Sequence, residues 1–511
     1  MRSGERCGLV VLVGAGPGEP GLITQAGAAW IAKADAILYD RLVNRGLLKL
    51  ARPDAELVCV GKTPGREGYS QQQINDLMLA KCRAGKLVVR LKGGDPMMFG
   101  RGGEEAEAVA AAGCGLRIVP GVTAAVAAAA AAGIPLTDRR NASTVAFASG
   151  REAADKDGAG VDWQALAGMD TVVFYMAVGN LAEVADKLVQ AGKDGDTPAA
   201  VVRGATTAGQ QTIVATLGTI AARGGEAGIQ PPALLLVGPG VETRRRIAWM
   251  EKLPLFGRTV IVTRPEGQAQ DLSWMLVQQG ADVIEAPTVT IEPPADYGPL
   301  DEALLGIGRY DWLVLTSANG VAHVVGRLLQ IGSDARALAG VKVAAVGLAT
   351  AAALEARSIK ADLLPAEFTS EALARELVAR HAVSGKRILL ARSSEATAML
   401  PEILTSAGAA VDQVIAYRPA AVRALPDEAL DALRNGQPVW ITVTSANSVP
   451  RLQGMLRFSD VDLSAVKTAA VGPVTVERLR LSGLGPDVVA CPHTTEALVE
   501  AIVQAELAAR P

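Results

Sequence analysis

Residues 9–18 read Leu9-Val10-Val11-Leu12-Val13-Gly14-Ala15-Gly16-Pro17-Gly18. An aliphatic run of strand length that stops in a glycine-rich turn is the opening of an α/β unit. The turn invites comparison with the dinucleotide fingerprint G-x-G-x-x-G, and it fails that comparison. Position 19 is Glu19, and Pro17 and Pro20 remove backbone donors where a pyrophosphate would sit. Taken alone, the turn lets chain and helix pass closely.

Working outward, the same alternation recurs. Short apolar runs follow at Leu87–Leu91, Thr171–Tyr175, Ala233–Val237, Thr259–Thr263, Leu313–Thr316, Val341–Val346, Arg387–Ala391, Val439–Thr444 and Thr468–Val471. Helical stretches such as Gln71–Ala84, Glu104–Ala112, Leu181–Ala191, Ser370–Arg380 and Thr495–Ala509 lie between them. This pattern predicts parallel sheets covered by helices. The 511 residues allow about three domains. With 50% hydrophobic, 20% charged and only 4% aromatic residues, the cores must be built from Ala, Val and Leu, which excludes a disordered or fibrous chain.

Five scattered cysteines without a C-x-x-C pair, and three histidines, argue against a disulfide framework or a zinc site, so no metal is expected. The first apolar run is too short for a signal peptide. The most apolar window, Ile118 to Leu136, is interrupted by Pro120, Gly121, Gly133 and Pro135, too short for a bilayer span. These features predict a cytoplasmic protein with no membrane partner. Residues 1–257 carry net charge +3 and residues 258–511 carry −6, neither of which suits a nucleic-acid binder. The main boundary is placed after Leu253, where Pro254-Leu255-Phe256-Gly257 precedes a fresh strand.

The second half repeats itself. Thr316-Ser317-Ala318-Asn319 returns as Thr444-Ser445-Ala446-Asn447 at an offset of 128, and Ala344-Ala345-Val346-Gly347 as Ala469-Ala470-Val471-Gly472 at 125. A strand ending in Arg264 has its counterpart ending in Arg392. Three matches in one order predict two similar lobes with ligand-binding edges at their strand ends.

Several first-half motifs carry polar residues where open sheets bind ligands. Asp40 ends a strand-like run, and Lys62 follows another. In Arg90-Leu91-Lys92-Gly93-Gly94-Asp95-Pro96, the glycines leave bare backbone, and Asp95-Pro96 is a helix-start pair with Asp as N-cap. The order of these motifs resembles the uroporphyrinogen-III C-methyltransferases within the tetrapyrrole methylase family. The matching segments are V-G-A-G-P-G-E-P at 13–20, Y-D-R-L-V at 39–43, G-K at 61–62, V-V-R-L-K-G-G-D-P at 88–96, F-G-R-G-G-E-E at 99–105, P-G-V-T-A-A at 120–125 and G-I-P-L-T at 133–137.

That resemblance implies a homodimer with two α/β subdomains, about 1–118 and 119–250, and S-adenosylmethionine in the cleft between them, leaving as S-adenosylhomocysteine. It assigns the methyl donor to Pro17, Gly93, Gly94, Asp95, Met98, Thr123, Ala124, Met176 and Gly204, proton acceptance to Asp40 and proton donation to Lys62. Met97, Asp138 and Arg151 depart from the family's usual residues. Arg41, Arg101, Arg139 and Arg140 are either clamps for a polycarboxylate or ordinary surface arginines.

Residues 254–511 resemble uroporphyrinogen-III synthase. The likeness rests on V-I-V-T-R-P at 260–265, T-S-A-N-G-V at 316–321, Ala416-Tyr417-Arg418, T-S-A-N-S-V at 444–449, A-V-G-P-V-T at 470–475 and P-H-T-T-E-A-L at 492–498. It implies a bilobed α/β synthase with parallel sheets, one lobe from 258–288 plus 419–511 and the other from 289–418. Ser317, Ser445, Thr475, Arg264 and Arg392 become carboxylate-binding candidates. Tyr417 is either the donor to a leaving hydroxyl or a core tyrosine. The fused reading is a tetrapyrrole enzyme of the sirohaem or cobalamin route, acting on small-molecule tetrapyrroles. Its rivals are a non-catalytic bilobed tetrapyrrole-binding module in the second half and, in the first, a same-fold RNA methylase, against which the near-neutral charge argues.

Overall fold

The computed structural model describes residues 8–61, 68–151, 160–265, 267–435, 439–457 and 466–510. The chain forms two compact units. The first is Met1–Thr259 with Leu276–Asp282 and Glu506–Pro511, and the second is Val260–Met275 with Val283–Ala505.

In chain order the strands of the first unit are β1 (Leu9–Gly14), β2 (Ala36–Tyr39), β3 (Glu56–Cys59), β4 (Leu87–Lys92), β5 (Gly115–Val119), β6 (Val145–Ser149), β7 (Thr171–Tyr175), β8 (Pro198–Arg203), β9 (Gln211–Thr216) and β10 (Ala233–Val237). They build two sheets, ordered β3-β2-β4-β1-β5 and β6-β7-β10-β8-β9. Every pairing in the first sheet is parallel. Alternation along β1 sends Val10 and Leu12 into one core and Val11 and Val13 into another, so both faces are covered.

The second sheet is mixed. Its β6–β7 pair is parallel, whereas β7–β10, β10–β8 and β8–β9 are antiparallel, which departs from the expected all-parallel arrangement. The seven residues between β8 and β9 account for the last of these pairs, because a parallel crossover needs a dozen or more. The Ala-rich helix Ala124–Ala132 packs Ala125, Ala128, Ala129 and Ala132 against Val173, Ala200, Val202, Leu234 and Leu236 of this sheet. Its small side chains let helix and sheet approach closely.

The remaining strands are β11 (Thr259–Val262), β12 (Asp282–Glu285), β13 (Val289–Glu292), β14 (Trp312–Leu315), β15 (Lys342–Ala345), β16 (Arg387–Ser393), β17 (Ala410–Ala421), β18 (Val439–Val443), β19 (Val466–Val471) and β20 (Val488–Ala490). Their sheets are ordered β12-β11-β18-β19-β20 and β13-β17-β16-β14-β15. Matched through the sequence repeats, β11 corresponds to β16, β18 to β14 and β19 to β15, and each set runs in the same order across its sheet. Within the second of these sheets only the β13–β17 pair is antiparallel. No helix among the described residues is long and apolar enough to cross a membrane.

Candidate active sites

In the first unit three loops meet at the carboxyl ends of β1, β4 and β5. The β1 and β4 loops form a two-way backbone bridge, with Gly16 N donating to Gly94 O at 3.2 Å and Gly94 N to Gly16 O at 2.7 Å. Both glycines have positive φ, 77° and 67°. The third loop closes on them so tightly that a Cβ on Gly121 would lie 2.3 Å from Gly94 O. Only glycine fits there.

Asp95 ties the assembly together. Its Oδ1 accepts from Met97 N at 2.8 Å and its Oδ2 from Gly121 N at 2.9 Å. The helix expected to begin at Pro96 does not form. Pro96 enters a turn, and the next helix runs from Gly102 to Ala111, so Asp95 makes an Asx turn and an inter-loop bond instead of an N-cap.

Across from these loops stands the end of β7. Tyr175 shares a 2.6 Å hydrogen bond between its hydroxyl and Thr123 Oγ1, and its oxygen accepts from Ala125 N at 3.1 Å. It therefore supplies the cap that Thr123 does not give to the helix Ala124–Ala132. Its ring packs on Phe99 at 4.6 Å between centroids. Met176, next along, is 53% exposed with φ of 56°. Phe99, Arg101 and Thr206 also hold positive φ, and such backbone clusters at functional sites. Thr206 Oγ1 accepts from Glu19 N at 3.1 Å, so the segment beginning at Gly204 reaches the loop that holds Pro17. The predicted cofactor residues are thus brought around one region. Tyr175, which adjoins Met176, joins them here, a role that the sequence does not assign it.

These residues fit an organic cofactor with exposed edges. At Gly93 an added Cβ would meet only Leu42 Cβ, at 3.6 Å, so bare backbone faces open space there, while the neighbouring Gly94 lies against the backbone of Thr123 and Ala124.

Asp40 follows β2, the strand beside β4, and its Oδ1 accepts from Arg90 Nη2 at 2.6 Å. Lys62 lies outside the described residues. Arg101 and Arg140 have local carboxylate partners, Glu104 at 2.6 Å and Asp138 at 2.5 Å. The hydrogen bonds from Arg140, side chain first and backbone second, hold the Asp138 carboxyl far below the usual carboxylate range.

In the second unit, Ser317 caps the helix Ala318–Gln330 through Gly320 N at 3.0 Å, and its Oγ shares a 2.9 Å hydrogen bond with the Tyr417 hydroxyl. Tyr417 is buried in β17, its ring stacked on His323 at 5.7 Å. Burial pushes the His323 imidazole below its ordinary pKa. Arg392 donates both Nη groups to the carbonyls of Thr397 and Ala396, at 2.9 and 2.8 Å, and so shapes its own loop. Desolvation lowers the pKa of Arg264, opposed by Asp271 and Glu496. Ser445 sits in the loop after β18, and Thr475 is buried in the first turn of the helix Pro473–Leu481 that follows β19.

A cavity of about 910 Å³ opens beside that loop and that helix, lined by Glu395, Ala446, Asn447, Pro450, Arg451, Pro473, Val474, Glu477, Arg478 and Leu481. Arg451 Nη2 reaches both oxygens of Glu395 across it, at 2.8 and 2.7 Å. Ser317 and Tyr417 are not part of its lining. Arg451 and Arg478 were not singled out in the sequence, where nothing distinguishes them from surface arginines.

Comparison with known proteins bears on both units. Residues 9–221 match the family described as Tetrapyrrole (Corrin/Porphyrin) Methylases, and residues 270–500 match Uroporphyrinogen-III synthase HemD. The porphyrin biosynthesis protein HemD of Ruminiclostridium josui is 34% identical over 498 residues, covering 97% of this chain and 98% of that protein. The uroporphyrinogen-III C-methyltransferase of Priestia megaterium is 47% identical over 232 residues, covering 45% of this chain and 97% of its own length. A crystal structure of uroporphyrin-III C-methyl transferase from Thermus thermophilus, complexed with S-adenyl homocysteine, is 40% identical, covers 46% of this chain and 99% of that one, and has a TM-score of 0.40. Alike along almost its whole length to one such protein, the chain belongs to the porphyrin-biosynthesis HemD family, a tetrapyrrole methylase region followed by a uroporphyrinogen-III synthase region.

Proposed function

We propose that the chain is bifunctional. Residues 254–511 cyclise hydroxymethylbilane to uroporphyrinogen III, and residues 1–253 methylate that product twice to precorrin-2, on the sirohaem or cobalamin route. The observation that carries this reading is the glycine-lined meeting of three loops beside the Asp40–Arg90 pair, with Arg90 on β4 itself and Asp40 after the neighbouring β2. A bare-backbone cradle and an acid oriented by a cation suit group transfer to a carbon that must then lose a proton.

On this reading Pro17, Gly93, Gly94, Asp95, Met98, Thr123, Ala124, Met176 and Gly204 hold S-adenosylmethionine. When bound, that cofactor supplies an electrophilic sulfonium methyl. Asp95 keeps the loops in register, Tyr175 fixes Thr123, and Asp40 accepts the proton that leaves the macrocycle. Lys62 keeps its role as proton donor on the family likeness alone. Arg101 can turn to a substrate carboxylate at little cost, since an exposed pair such as Arg101–Glu104 is worth about 0–1 kcal/mol.

For the synthase step, loss of hydroxide from an electron-rich pyrrole needs little help, so conformational control of the linear chain is the main demand. Tyr417, held by Ser317, donates to the leaving hydroxyl. Arg264, Arg392, Ser317, Ser445 and Thr475 orient carboxylates, and the lobes are 258–288 plus 419–511, and 289–418. We further assign the protein to the cytoplasm as a homodimer through its methylase half.

The test is to incubate the full chain with hydroxymethylbilane and S-adenosylmethionine and to type the products by isomer and mass. Dimethylated type III product supports the reading. Type I isomer alone, which forms spontaneously, would reduce the second half to a binding module.

A further inference from the structure

Strand β4 sends Arg90 and Lys92 to the same face, two residues apart, and the helix Gly102–Ala111 lays Glu105 against both. Glu105 is 0% exposed, Arg90 2% and Lys92 4%. One oxygen of Glu105, Oε1, accepts from Arg90 Nε at 3.1 Å, Lys92 Nζ at 3.0 Å and Gln71 Nε2 at 3.1 Å. The other, Oε2, is buried without a hydrogen-bond partner. Arg90 continues the chain through Nη2 to Asp40 Oδ1, and its Nη1 lies 3.4 and 3.3 Å from the carbonyls of Leu38 and Leu91. Two cations and two carboxylates balance.

A buried acceptor left without a hydrogen bond is costly. Here one acceptor is left idle while the other is crowded, which fixes the Nε edge of Arg90. Because the guanidinium is planar, fixing Nε also fixes the direction of Nη2. Burial and the charge of Arg90 hold the Lys92 ammonium below the ordinary lysine range, against the pull of Glu105 and Asp40.

We propose that Glu105 is a positioning residue for the methylase reaction: through Arg90 it sets where the Asp40 carboxylate stands against the macrocycle. The inference rests on the reading of Asp40 as proton acceptor. Its side chain is 0% exposed, so Glu105 acts through Arg90 and its effect belongs in kcat and not in KM.

The experiment uses the full chain with uroporphyrinogen III and S-adenosylmethionine, and compares wild type, Asp40→Asn and the double variant Glu105→Gln with Lys92→Met. The double variant removes one anion and one cation together and leaves no unpaired buried charge. It should melt close to wild type, keep KM within about twofold and lose roughly 10–100-fold in kcat, part of what a well-placed acid or base contributes. A kcat within about twofold of wild type overturns the proposal, and so does loss of folding, because Glu105 would then be structural support. A fully active Asp40→Asn protein would instead remove the parent reading of Asp40, whatever the double variant does.

Discussion

Asp95 holds two loops with one carboxylate, one oxygen on Met97 N and the other on Gly121 N. An N-cap and an Asx turn look alike from the sequence, because both use an Asp oxygen on a nearby backbone N–H. What separates them here is Gly121, 26 positions on, and no local pattern carries that contact. The role of Tyr175 was not legible for the same reason, since its partners Thr123 and Ala125 lie about fifty residues away. The placement of Asp40 and the glycines was legible, because each follows a strand that its own residues announce. Asp95→Ala should therefore lower both stability and affinity for S-adenosylhomocysteine. Losing two charge-assisted bonds to backbone should cost about 1–3 kcal/mol, read by denaturant unfolding of the full chain. Asp95→Asn, which keeps one acceptor, should fall between. Unchanged stability with Asp95→Ala would mean that the loops hold their register without it.

Strands with continuous aliphatic cores, such as β1, β4 and β16, were readable because burial on both faces leaves no ambiguity in their composition. The hairpin of β8 and β9 was not, since β9 is an edge strand without clean alternation. A strap over this edge was also invisible. Arg244 donates to Ala132 O and pairs with Glu251, Trp249 Nε1 donates to Ala130 O at 2.9 Å, and Glu251 Oε1 accepts from Thr212 Oγ1 at 2.6 Å and Gln210 Nε2 at 3.1 Å. Burial alone would raise the Glu251 pKa, but the hydrogen bonds from Thr212, Arg244 and Gln210 outweigh it and hold the carboxyl below its ordinary range. A carboxyl depressed on folding stabilises fully above its unfolded pKa, about 4.3, and that stability drains as pH falls through the folded value. Melting curves from about pH 6 to about pH 3 should show Glu251→Gln less stable at the upper end and converging on wild type at the lower end. A constant difference across that range would contradict the coupling.

At the scale of the whole chain, the repeats at offsets of 128 and 125 found their counterpart in two sheets of equivalent strand order, because a duplicated sequence must bury the same faces. The motifs at 444–449 and 470–475 reach the cavity, but its charged lining was not legible, as Arg451 meets Glu395 only through packing of segments 56 positions apart. The central claim is that one chain carries two chemistries with separate residues. Asp40, at the end of β2, and Tyr417, in β17, belong to different sheets and different units. The direct measurement is isomer-resolved mass spectrometry of products from hydroxymethylbilane and S-adenosylmethionine, made with wild type, Asp40→Ala and Tyr417→Phe. Asp40→Ala should stop dimethylation while type III uroporphyrinogen still forms. Tyr417→Phe should slow type III formation by at most ~10²–10⁴-fold, the reach of general acid help, and still methylate added uroporphyrinogen III. Wild-type methylation by Asp40→Ala, or loss of both activities from either substitution, would contradict the account.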